Sequence, residues 1–67
     1  MVVRQVVLAA RDVVFFKGVI EASEGLASVF AERGGDLSVA APVDRTRELD
    51  ALLDVLCGEL GGVRVDP

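Results

Sequence analysis

Three groups of residues hold the chemistry open to this chain: the adjacent Arg11 and Asp12, the lone Cys57, and the carboxylates Glu48, Asp50, Asp54 and Glu59. Arg11 and Asp12 stand just ahead of an apolar run at helical spacing. Free N–H groups at a helix start can hold an anion or a polar ligand, and an arginine beside them adds charge. Arg11 and Asp12 are therefore the candidate small-ligand site. Against it, the junction has no glycine to let a ligand reach the backbone, and Asp12 is itself suited to cap the helix. Cys57 shares the apolar side of its helix with Leu53. No cation or helix start lies nearby in sequence to favour a thiolate, so it reads as a buried structural thiol. The four carboxylates fall on the polar side of that helix and read as a solvated face. Glu21 and Glu24 are like charges near a helix C-terminus, a mildly unfavourable place. They read as solubilising, or as facing a cationic partner.

The missing residue types exclude more than the present ones suggest. There is no His, Tyr or Trp. Without histidine the commonest general base is absent, and neither a Ser-His-acid nor a Cys-His arrangement can form. The expectation is that the chain is not an enzyme. One cysteine and no histidine cannot build a zinc, haem or iron–sulfur site, so no metal and no cofactor is expected. Gly34-Gly35 and Gly61-Gly62 read as a turn and a helix stop, without phosphate-loop context. Eleven acids against seven bases leave a net charge of −4, and the arginines are scattered. A nucleic-acid backbone needs a basic stripe, and an anionic membrane surface needs a basic cluster; neither partner is expected. The apolar run over 6–10 is too short for a signal peptide, and no segment approaches a membrane span. A lone thiol suits a reducing compartment, so the expected location is the cytoplasm.

These residues need elements to position them. Residues 2–10 are rich in valine and read as a first strand. Asp12 then opens a helix in which Val13, Phe16, Val19, Ile20 and Ser23 share one side, with Phe15 and Ala22 at its edge. Val14 falls among the polar residues, and Gly25 ends the helix. Residues 26–33 and 36–41 read as two strands, and Gly34-Gly35 supplies the positive φ angles of a tight hairpin. Alternation puts Ala27, Val29, Ala31, Leu37, Val39 and Ala41 on the core face. It puts Ser28, Phe30, Ser38 and Ala40 on the other. Pro42 ends the hairpin, and Asp44 caps a helix whose stripe is Leu49, Leu52, Leu53, Leu56 and Leu60. The alternation of residues 63–67 allows a short last edge strand.

The order β-α-β-β-α, with that possible last strand, is the split βαβ plan of the ferredoxin-like α+β sandwich. The right-handed crossover rule sends both helices to one face of an antiparallel sheet. The opposite face is left bare, and its hairpin residues are small or apolar. A single domain of 67 residues buries too little surface to be comfortably stable, and 52% of these residues are hydrophobic. A second copy packed on the bare face would answer both points. Ser28, Phe30, Ser38 and Ala40 are thus the candidate dimer interface. The competing reading has Phe30 covered by its own neighbours.

The run "ARDVVFFKGVIEASEGLASV", then a hairpin, a proline and an acidic Leu-rich helix, resembles a family of short bacterial proteins of unknown function. The matching positions are Arg11 with Asp12, Lys17, Glu21, Glu24 to Ala27, Pro42, Arg45 and Leu49. That resemblance implies a ferredoxin-like fold and no activity. More distantly, "EGLASVFAERGGDLSV" resembles the amino-acid-sensing ACT domains. These pair through strands or helices and bind small ligands at subunit junctions. The glycine or Pro-Gly of their first strand–helix junction is replaced here by Ala9-Ala10-Arg11-Asp12. The resemblance implies a homodimeric regulatory or small-ligand-binding module. The alternative is a protein-interaction or structural subunit with no small ligand.

Overall fold

A computed structural model describes residues 1–23 and 25–65. Glu24, and with it the Glu21–Glu24 pairing, lies outside the described residues, as do Asp66 and Pro67 of the expected last strand.

Strand β1 (Val2–Val7) leads through a single 3-10 turn (Ala10–Asp12) into helix α1 (Val13–Ala22). The hairpin β2 (Ser28–Arg33) and β3 (Asp36–Ala41) follows. A second 3-10 turn (Val43–Arg45) opens helix α2 (Thr46–Leu60), and β4 (Val63–Arg64) closes the order. The sheet runs β2-β3-β1-β4 and every pairing is antiparallel. This is the α+β, ferredoxin-like arrangement, with both helices packed on one face.

The core lies between that face and the helices. Val6, Phe16, Ile20, Leu37, Val39, Leu49 and Leu53 are fully buried. Phe16 and Ile20, one helical turn apart, anchor α1. Leu49, Leu53, Leu56 and Cys57 do the same for α2, so the thiol packs as expected. At the helix end, Gly61 takes a left-handed φ of 71°, the cap that a residue without Cβ adopts freely.

Several boundaries differ from the sequence reading. The first strand stops at Val7 and not at residue 10. Leu8 leaves the β1 ladder and turns into the core, and its N–H donates to the Gly35 carbonyl at 2.9 Å. β2 starts at Ser28 and not at residue 26. The carboxylate of Asp12 makes no cap hydrogen bond. Asp44 sits inside its turn, and α2 starts at Thr46 without a side-chain cap. Backbone does the capping work: Asp12 N–H donates to Ala9 at 2.9 Å and Arg45 N–H to Pro42 at 3.0 Å. In the hairpin only Gly34 has a positive φ, 54°. Ala31, expected in the core, pairs with buried Leu37 but is itself exposed on the outer strand β2, next to a register shift between Ala31 and Arg33. Phe15 and Val14 are both well exposed on the outer side of α1.

Candidate functional site: the open face of the sheet

Register decides which residues share the face away from the helices. Residues directly opposite in an antiparallel ladder point to the same side. Ser28 is opposite Ala40, and Ala40 is opposite Val3. Phe30 is opposite Ser38, and Ser38 is opposite Gln5. Continuing the β1–β4 register by one residue sets Val65 beside Gln5, where its N–H donates to the Gln5 carbonyl at 2.9 Å. The second row across the sheet is therefore Phe30, Ser38, Gln5, Val65. A third row at the hairpin end runs Arg33, Asp36, Val7, Val63.

The four residues expected on this face, Ser28, Phe30, Ser38 and Ala40, are brought together as two adjacent cross-strand pairs. Phe30 is not sealed by its own neighbours; it is 56% exposed. Sequence reasoning missed the other half of the face: Val3, Gln5 and Val7 of β1, with Val63 and Val65. The five large apolar residues range from 40% exposed at Val7 to 60% at Val63. Charge stands at the hairpin end and reaches the second row through Glu32. Glu32 accepts a hydrogen bond from Ser38 Oγ at 3.0 Å, and at the hairpin end Arg33 stands opposite Asp36. The face thus exposes five large apolar residues with small and polar side chains between them.

The opposite face carries a second group. Arg4 and Arg64 lie on the helix side of β1 and β4 and reach α2. Arg4 Nε donates to Asp50 Oδ1 at 2.9 Å, Arg64 Nη2 to the same oxygen at 2.9 Å, and Arg64 Nη1 to Asp54 Oδ1 at 2.7 Å. Asp50 is thus not a solvated carboxylate but a half-buried bridge between two strands and a helix. Its pKa is held below the ordinary carboxylate value, first by the Arg4 hydrogen bond and then by the two guanidinium charges. Arg45 similarly lowers Glu48 through an exposed pair at 2.8 Å. The Asp50 and Asp54 pairs tie the β1 and β4 strands to α2.

The structure places Arg11 in the three-residue 3-10 turn after β1, exposed, with Asp12 half-buried beside it. Neither side chain makes a hydrogen bond or ion pair among the described residues. Among the described residues no group of three or more Cys, Asp or Glu could hold a metal ion. No helix among them is long and apolar enough to cross a membrane. Comparison with protein-family models, with curated proteins and with solved structures finds no match.

Proposed function

We propose that this chain is a non-catalytic association module whose working surface is the open sheet face. One observation carries the reading. Val3, Val7, Phe30, Val63 and Val65 form one exposed apolar surface around Ala40 and Ser38. Leaving such a surface in water is unfavourable, and docking against a protein removes it. The sequence adds that histidine, tyrosine and tryptophan are absent. The lone, buried Cys57 suits the cytoplasm.

Protection of the face inside cells tests the reading. In a Cys57→Ala background, Ala40→Cys is expected to react with a permeant maleimide more slowly in cells than as dilute purified protein. Glu59→Cys, on the exposed side of α2, is expected to react equally in both. Equal rates for Ala40→Cys in the two settings would refute the association reading.

A second reading, a metabolite-sensing role of the ACT kind, is supported by Arg11 and Asp12. They are adjacent in the turn after β1, and neither side chain makes a hydrogen bond or ion pair among the described residues. It expects an amino-acid-sized anion to raise the melting temperature of the protein and not of Arg11→Ala.

A further inference from the structure

We infer that β4 is a charge-fastened strap: Arg64, clasped by Asp50 and Asp54 of α2, holds it on β1, and screening of that clasp lets it lift while the rest of the fold stays closed. The short strand has little else to hold it. None of Val63, Arg64 and Val65 belongs to the buried core. Val63 and Val65 point to the open face and keep half or more of their surface in water, so they add little hydrophobic attachment. The ladder to β1 is two residues long, with one further bond from Val65 N–H to the Gln5 carbonyl. Against this, the Arg64 side chain is largely covered and makes two ion pairs, at 2.9 Å to Asp50 and 2.7 Å to Asp54. The clasp is open to salt, because the Asp54 side chain is 69% exposed.

The bend falls just before Val63. Gly62 is fixed: its N–H donates to the Cys57 carbonyl at 2.9 Å, and a Cβ there would strike the Leu8 side chain. Lifting at that point leaves β1 paired with β3 along its whole length and leaves Cys57 covered. Arg4 stays on Asp50, so the bridge between β1 and α2 survives. Two things change at the edge. Val63 and Val65 leave the open face, and the backbone of β1 at Gln5 and Val7 is bared, since alternation turns both residues toward β4. The strap thus sets how much apolar surface the face offers.

Residue-resolved amide exchange of the purified chain tests the inference, with Val65 and Val39 compared in one sample. Between about 0.02 M and about 1 M sodium chloride, Val65 exchange is expected to speed up about fivefold or more while Val39, in the sheet centre, holds its protection. Arg64→Met keeps the stem and removes the charge. Its Val65 amide is expected to exchange at low salt as fast as that of the parent at high salt, and to respond to salt no further. Arg64→Lys should restore a salt response, and Asp54→Asn should move the low-salt rate part of the way. A Val65 amide indifferent to salt, or equally protected in Arg64→Met, overturns the charge fastening. Val65 and Val39 exchanging at one common rate overturns separate lifting. Both failures leave the association reading standing, because protection of Ala40→Cys in cells does not depend on how β4 is held.

Discussion

Gly35 lies flat against the backbone of Leu8: a Cβ at position 35 would land on the Leu8 carbonyl, and the Leu8 N–H donates to the Gly35 carbonyl at 2.9 Å. The second glycine of the hairpin is therefore a packing residue that lets β1 turn inward. Gly35→Ala is expected to cost about 3 kcal/mol, since backbone must move on both sides. Gly18→Ala has open space around it and is expected to stabilise by about 0.5–1 kcal/mol. Urea unfolding of the two variants beside the parent measures both, and a Gly35→Ala variant as stable as Gly18→Ala contradicts the packing.

The three phenylalanines separate by depth. Phe16 has no exposed surface, while Phe15 is 58% exposed. Phe16→Ala is expected to lose about 3–5 kcal/mol, which in a domain of this size abolishes the folded state at room temperature. Phe15→Ala is expected to change stability by no more than about 0.5 kcal/mol. Circular dichroism melts distinguish the two outcomes.

Asp50 ties the acid limb of stability to β1, β4 and α2. Its pKa is lowered in the folded chain, chiefly by Arg4, so the unfolded chain takes up the proton first as pH falls. The stabilisation is therefore present above the unfolded carboxylate value and is lost as pH drops through the lower folded one. Asp50→Asn is expected to remove up to about 1 kcal/mol near neutrality, because the side chain is partly in water. It should also flatten part of the fall in melting temperature between about pH 6 and pH 2. An unchanged acid limb would count against the bridge.

Cys57 sits in the core behind Gly62 and is 8% exposed. Disulfide-exchange reagents are expected to reach it only when α2 opens, so labelling should accelerate with urea in step with unfolding. Rapid labelling of the native protein without denaturant would show that this end of the helix is not packed as described.

Much of the frame could be read directly from residue types. The Leu stripe of α2, the Gly-Gly hairpin and the Pro42 stop each act locally, and β3 falls on the expected residues. What could not be read depends on register. Valine occupies both parities of β1, so nothing local says that Val3 and Val7 face away from the helices while Val6 faces them. Half of the open face stayed hidden for that reason. The Arg4–Asp50 bridge joins residues 46 positions apart, and only the sheet order brings them together. Asp12 and Asp44 looked like caps because their side chains suit the role; the chain instead enters each helix through a tighter turn that satisfies the backbone itself.

The bulge in β2 has a consequence for how far such chains can grow. β2 is the long outer edge of the sheet, and an outer edge with a regular, flat backbone is a template for adding strands without limit. The shift between Ala31 and Arg33 kinks the far half of that edge and places Glu32 and Arg33 on it. The regular ladder is broken there, which blunts the β2 edge against the lateral addition of further strands.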